Sequence, residues 1–175
     1  FIRAGGHENL AVLHQRDFKA FLQGFLPAQP GPMVTPDGET VGKHDGLMYY
    51  TLGQRRGLGI GGRGDGRSFF VVDKDLKNNR LIVAQGEDHP LLYSRAAMAD
   101  QATFVADALP ENTPVHLTAR FRYRQPDQGT TVTRIGDQLH FVFDEPQRAI
   151  TPGQSAVLYN GPYCLGGGII DSVER

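Results

Sequence analysis

The most restrictive feature of the sequence is a succession of short apolar, β-branched runs, separated by turn residues, that fills residues 97–175. Gly136-Asp137 and Asn160-Gly161 lie between neighbouring runs, and such dipeptides favour tight hairpin turns. Several short strands at this spacing predict a small barrel or a sandwich. The candidate strands are Met98–Phe104, Val115–Tyr123, Thr130–Ile135, Gln138–Phe143, Ser155–Tyr159 and Tyr163–Ile170.

The preceding part of the chain predicts one helix and a long irregular stretch. Residues Asp17–Leu26 place apolar side chains at helical spacing, Asp17 suits the N-cap, and Pro27 ends the pattern. Residues His44–Arg56 show no clear pattern and fit a short helix followed by a loop. Six glycines within Gly57–Gly66 predict irregular backbone.

Two hairpins are also predicted in this part. Pro36-Asp37-Gly38 favours a turn between two short strands. Phe69–Asp73 and Arg80–Ala84 are apolar runs on either side of Lys77-Asn78-Asn79, a pattern typical of a hairpin. A domain boundary is expected near residues 93–95, where the almost uninterrupted β pattern begins.

Composition limits the kind of partner and compartment. The net charge is −1 and the pI about 6.6, so any nucleic acid must be bound through a local basic patch. Cys164 is the single cysteine, which excludes an internal disulfide, and its apolar, glycine-flanked surroundings predict a buried thiol. No run is apolar enough for a signal peptide or membrane span, so we expect a cytoplasmic protein with no membrane partner.

Two arginine-rich segments are candidate phosphate-binding sites. Arg55 and Arg56 precede the glycine-rich stretch, where backbone N–H groups can approach a phosphate, although the spacing alone favours a flexible loop with solvated arginines. Arg120, Arg122 and Arg124 would share one face of a strand, about 6.6 Å apart. They could form a phosphate ladder or pair with acidic side chains.

Other chemistry finds little support in the sequence. Gln154 follows a Pro-Gly turn, where its amide could contact a base edge or cap the turn. The six histidines are scattered without metal-ligand spacing, and no serine lies in a nucleophile elbow. We therefore predict no catalytic residue and no metal site in this chain.

Taken together, seven motifs resemble the tRNA-specific 2-thiouridylase family, in the family's order and over residues 15–171. The segment from Gly46 to Gly62 is the most specific of them. The motifs are Phe25-Leu-Pro-Ala-Gln-Pro-Gly31, Gly46-Leu-Met-Tyr-Tyr-Thr-Leu-Gly-Gln-Arg-Arg-Gly-Leu-Gly-Ile-Gly-Gly62, Val71-Val-Asp-Lys-Asp75, Arg122-Tyr-Arg-Gln125, Phe143-Asp-Glu-Pro146, Thr151-Pro-Gly-Gln-Ser-Ala156 and Cys164-Leu-Gly-Gly-Gly-Ile-Ile170.

The resemblance implies a mainly β chain with a small α+β part. Residues 1–16 match nothing in the family, residues 17–93 correspond to its small central domain, and residues 94–175 correspond to a carboxy-terminal β-barrel like the second domain of elongation factors. The chain begins at Phe1 without a methionine. We therefore expect it to start partway through a larger protein, or to have lost its start by processing.

The resemblance also implies a function. The family's enzyme activates the wobble uridine of tRNA with ATP and replaces its C2 oxygen with sulfur from a cysteine persulfide, which a sulfur-relay donor supplies. The Ser-Gly-Gly-x-Asp-Ser loop and the two catalytic cysteines of the family are absent from this sequence. We expect the chain to hold tRNA as a monomer, without an ATP site and without catalysis of its own.

By position, Arg122, Tyr123 and Gln154 match the family's tRNA contacts. The residue types suit a phosphate contact, a stacking contact and a hydrogen bond to an RNA edge, respectively. Further tRNA contacts are expected from Gln54, Arg55, Arg56 and Arg124. Two alternatives stay open: a stand-alone RNA-binding barrel module without catalysis, and a binder of small phosphates that uses the Gly57–Gly66 loop.

Overall fold

The computed structural model of the protein describes residues 28–61, 65–122 and 125–175. These residues form ten strands and two single-turn 3₁₀ helices, which confirms the mainly β prediction. The predicted helix Asp17–Leu26 lies outside the described residues. The strands are β1 Gly31–Val34, β2 Thr40–His44, β3 Phe69–Asp75, β4 Arg80–Gln85, β5 Tyr93–Phe104, β6 Val115–Arg120, β7 Gln128–Ile135, β8 Gln138–Arg148, β9 Ser155–Asn160 and β10 Tyr163–Glu174, and the 3₁₀ helices are Leu47–Tyr49 and Pro90–Leu92.

The first four strands form a mixed sheet in the order β2-β1-β4-β3. Both predicted hairpins are present, and β1 lies parallel to β4 between them. Successive side chains of a strand point to opposite faces. Val71 therefore packs with Leu81 on one face, while Phe70 and Val72 pack against Leu92 on the other. Burial of both faces explains the unbroken apolar run at the start of β3.

His44 at the end of β2 is fully buried. Its Nε2 donates to the carbonyl of Asn79 at 3.0 Å, and its Nδ1 accepts from the backbone N–H of Gly46 at 3.1 Å. Both ring nitrogens are thus satisfied by backbone groups, as a buried polar side chain requires. This histidine fastens β2 to the β3–β4 turn.

The remaining six strands close into an antiparallel barrel in the order β10-β5-β8-β7-β6-β9, which resolves the choice between barrel and sandwich. Phe121 fills its interior, with edge-to-face contacts to Phe141 at 5.7 Å and Phe143 at 5.0 Å between ring centroids. A Cβ on Gly166 or Gly167 would collide with a neighbouring strand's carbonyl. The glycine run of β10 therefore allows close approach to strands on both sides.

Several barrel strands have different ends from those predicted. β8 continues past Pro146 to Arg148 because β5, which begins at Tyr93, pairs with it there. β6 stops at Arg120 instead of Tyr123. The backbone N–H of Phe121 donates to the side chain of Gln125, and a turn replaces strand pairing.

The sheet and the barrel touch along the end of β8 and the end of β10. The Arg148 guanidinium lies over the Phe70 ring at 5.3 Å, and the Ala149 N–H donates to the Leu92 carbonyl at 2.6 Å. Arg175 pairs with Asp73 at 3.0 Å. Among the described residues, no helix is long and apolar enough to cross a membrane.

Candidate nucleic-acid interface

The candidate residues converge on Ala149, which follows β8 and has a positive φ of 54°. Its carbonyl accepts from Arg122 Nη2 at 2.6 Å and from Thr151 Oγ1 at 3.1 Å. A Cβ built on Gly53 would lie 2.8 Å from the Ala149 Cβ, so the loop of the central sheet lies against the same residue. The Gln154 N–H in turn donates to the Thr151 carbonyl at 3.2 Å. Segments far apart in sequence therefore share one junction.

Arg122 is the charged centre of this junction. Although the residue as a whole is exposed, its guanidinium lies against protein atoms. This desolvation lowers the pKa of Arg122, and the nearby charge of Arg148 lowers it further. Within the described residues, neither arginine forms an ion pair. A bound anion would relieve the repulsion between the two cations.

An open groove of about 510 Å³ runs past both arginines. Three glutamines line it and are bonded in series: Gln125 Nε2 donates to Gln147 Oε1 at 2.9 Å, and Gln147 Nε2 donates to Gln128 Oε1 at 3.1 Å. Gln147 is buried and also donates to the Glu145 carbonyl at 2.8 Å. This amide chain fixes the turn after β6, on which Arg122 lies.

The predicted ladder of three arginines is wrong. Because β6 ends at Arg120, Arg122 does not continue its row. Arg120 pairs with Asp127 and lies over the Tyr159 ring at 4.9 Å, and its hydrogen bond to Asp127 raises its pKa. Arg124 and Tyr123 lie outside the described residues. Acidic pairing, the alternative interpretation, thus holds for Arg120.

The loop after the first 3₁₀ helix is held by Gln54. Gln54 Oε1 accepts from the Thr51 N–H at 3.0 Å, and its Nε2 donates to the Arg56 carbonyl at 2.9 Å. Backbone bonds between this loop and Val71 join it to β3. The Gln54 amide is engaged inside the loop, while Arg55 and Arg56 are exposed, with no ion pair to the described residues.

Gln154 lies in the turn that enters β9. Its carbonyl accepts from the Ile170 N–H at 2.8 Å, which anchors the turn to β10. Its side-chain Oε1 is buried and finds no hydrogen-bond donor among the described residues. Because the Gln154 side chain makes no hydrogen bond to the described residues, it does not cap the turn there. A buried acceptor left without a donor costs about 1–3 kcal/mol.

Cys164 is exposed, and the prediction of a buried thiol is wrong. Its neighbour Leu165 packs against the barrel core, so strand alternation turns Cys164 outward. An irregularity in pairing between Cys164 and Gly166 marks this end of β10. No cluster of metal-ligating side chains occurs within the described residues.

Sequence reasoning missed Arg148 and Gln147. Both follow Pro146, which looks like the end of a strand because proline lacks the N–H that a ladder needs. Their position became visible only through the pairing of Tyr93 with Arg148 and of Ser94 with Gln147. No local sequence signal marks them as groove residues.

A small mixed sheet packed against a closed six-stranded barrel defines the class of protein: a two-part, mainly β chain. The model of the tRNA methyl transferase PRC-barrel domain matches residues 19–85, and that of the aminomethyltransferase beta-barrel domain matches residues 94–170.

Curated relatives are more specific. The chain is 54% identical over 167 residues to tRNA-specific 2-thiouridylase MnmA of Alkaliphilus oremlandii, covering 95% of the chain and 46% of that protein. It is 56% identical to the MnmA of Shouchella clausii, covering 95% and 45%, and 53% identical to that of Alcanivorax borkumensis, covering 93% and 45%. The chain belongs to the tRNA-specific 2-thiouridylase family, in its central and carboxy-terminal domains. It spans less than half the length of these relatives.

Proposed function

We propose that this chain holds tRNA for an enzyme that replaces the C2 oxygen of the wobble uridine with sulfur. The relatives are named tRNA-specific 2-thiouridylases, which supports thiolation of tRNA as the reaction of the whole enzyme. The observation that carries the holding role is the Arg122 guanidinium, anchored to the Ala149 carbonyl and free of acidic partners in the described part of the chain. A preorganised arginine suits a phosphodiester because its planar fork matches phosphate oxygens.

Other candidate residues take complementary roles around this contact. Arg55 and Arg56 reach solvent from the loop that packs against Ala149, where they can meet neighbouring phosphates. Gln154 is half-buried, and although its Oε1 is buried, its amide N–H₂ group makes no hydrogen bond to the described residues and could donate to an RNA edge or a 2′-hydroxyl. Tyr123 and Arg124 flank Arg122 in sequence, and we assign them stacking and backbone contacts.

ATP and the persulfide belong to the whole enzyme in this proposal. The described residues do not fit an ATP site: the glycine-rich loop leads to no helix N-terminus, and no Gly-Lys-Ser/Thr follows it. We therefore derive no step through ATP. We expect the protein to be cytoplasmic, and the purified chain to be a monomer that neither hydrolyses ATP nor thiolates tRNA. In the complete enzyme, a separate persulfide carrier supplies the sulfur.

The proposal is tested by Arg122→Ala, with Arg120→Ala as the matched control because Asp127 already engages that arginine. Affinity for an unmodified tRNA transcript is measured at several salt concentrations. Arg122→Ala should lower the slope of log K against log salt by about one phosphate's worth, while Arg120→Ala leaves it unchanged. An unaltered slope in Arg122→Ala would place this residue off the RNA.

A further inference from the structure

Arg148 has features that its role at the junction does not use. Its Nε donates to the Glu87 carbonyl at 3.2 Å, and its guanidinium lies over Phe70. These contacts hold the plane of the side chain from the sheet side. Its two Nη groups make no hydrogen bond to the described residues, and Arg148 lines the same groove as Arg122.

Arg122 is likewise oriented by a single hydrogen bond to a carbonyl. It donates from Nη2 to the carbonyl of Ala149, the residue directly after Arg148; its other N–H groups make no hydrogen bond to the described residues, and Arg122 lines the groove. The Arg122 guanidinium is thereby held by the segment after β8, and the Arg148 guanidinium by the sheet region. Each guanidinium donates one hydrogen bond to a carbonyl, and its other N–H groups remain available for a ligand.

Other arginines of the chain contrast with this pair. Arg67, Arg120 and Arg175 each pair with an aspartate. Glu145 also lines the groove, yet its carboxylate lies beyond 4.0 Å from both guanidiniums, since neither forms an ion pair with any described residue. Holding two like charges together without a carboxylate is unfavourable unless an anion joins them.

We propose that Arg148 and Arg122 form a two-arginine clamp for one phosphodiester of an RNA backbone. This inference rests on the proposed function and adds a residue to it. The side-chain amides of the glutamine chain in this groove are already hydrogen-bonded within the protein, so they shape the groove and carry no charge. Specificity for a base is therefore not expected here, and the clamp contributes affinity and register.

A consequence concerns the two halves of the chain. Arg148 ends the barrel strand β8 and contacts Phe70 and Glu87 of the sheet region, whereas Arg122 lies on the barrel turn after β6. A phosphate bound by both arginines would hold the Arg148 side chain, which links the barrel to the sheet, in place. RNA binding should therefore stabilise the junction as well as fill the groove.

The test compares Arg148→Gln, Arg122→Gln and the double variant of the full chain, with Arg175→Gln as control. Arg175 is also a junction arginine, but it bonds Asp73 and the Val72 carbonyl and does not line the groove. The probe is an unmodified tRNA transcript at several salt concentrations, and thermal unfolding of each free variant reports the junction.

Each single groove variant should weaken binding by about tenfold or more, the usual size of one charge-assisted hydrogen bond. The double variant should lose less than the product of the two single losses, because one phosphate is shared. Arg175→Gln should lower the unfolding midpoint without weakening tRNA binding.

Arg148→Gln that binds tRNA like the wild type, while Arg122→Gln does not, would overturn the clamp and leave the proposed function intact. Independent, multiplicative losses would also overturn it, because they would mean two separate phosphates. Salt-insensitive or absent binding by the wild-type chain would instead reject the proposed function and the clamp together.

Discussion

Substituting Gln147 by leucine should destabilise the barrel more than any comparable change in a surface glutamine. The side chain is buried and makes three hydrogen bonds, to Gln125, Gln128 and the Glu145 carbonyl. Leucine preserves most of its volume but none of its bonds. At about 1 kcal/mol for each net hydrogen bond, the expected loss is about 2–3 kcal/mol.

The measurement is urea unfolding followed by circular dichroism, with Gln138→Leu as the matched control. Gln138 begins the same strand and makes one side-chain bond, to Asp100 at 2.7 Å, so its loss should be about 1 kcal/mol. With a typical m-value of about 2–3 kcal/mol per molar urea, Gln147→Leu should lower the midpoint by about 1 M and the control by less than half of that. Equal shifts in both variants would refute the idea that the glutamine chain stabilises this end of the barrel.

Two further predictions concern β10. Gly167→Ala should lower the free energy of unfolding by at least about 2 kcal/mol in the same urea assay, because its Cβ would collide with the Ala156 carbonyl. Gly168→Ala should lower it less, because the atom nearest to its Cβ would be 2.7 Å away. Equal losses in the two variants would contradict the packing argument. Cys164 should react with a thiol reagent in the native chain as fast as in a model peptide, and Cys164→Ser should change stability by less than about 0.5 kcal/mol; protection until unfolding would contradict its exposure.

The number of strands and their succession along the chain could be predicted from turn chemistry. Gly136-Asp137 and Asn160-Gly161 place two hairpins correctly, and the Lys77-Asn78-Asn79 turn places a third. Closure into a barrel could not be predicted in this way, because the pairing of β10 with β5 joins residues that are distant in sequence. Choosing barrel over sandwich therefore depended on the family resemblance.

Errors at the candidate site have a common physical origin. The end of β6 is set by a side-chain acceptor, Gln125, that competes with strand pairing, and no periodicity reveals it. Cys164 faces outward because its neighbour Leu165 packs against the barrel core, a contact that the apolar sequence around Cys164 does not reveal. Arg148 became a groove residue only through long-range pairing with Tyr93.

The candidate tRNA contacts come from local sequence motifs, and the structure shows only where the described ones lie. Arg122 was identified by its position in a motif, and the structure places it on a turn anchored by Ala149. Gln54 is expected to contact RNA, and in the structure its amide bonds the Thr51 N–H and the Arg56 carbonyl within the loop. Contact between any of these residues and tRNA remains a prediction.

The most direct test of the central claim is a titration of the unaltered 175-residue chain with tRNA at several salt concentrations. A transcript with a non-uridine wobble base serves as the control. The arginine groove predicts binding that weakens steeply with salt, and similar affinity for both transcripts, because phosphate contacts carry no sequence information. Failure to bind either tRNA at low salt would contradict the holding role and place the tRNA grip outside this chain.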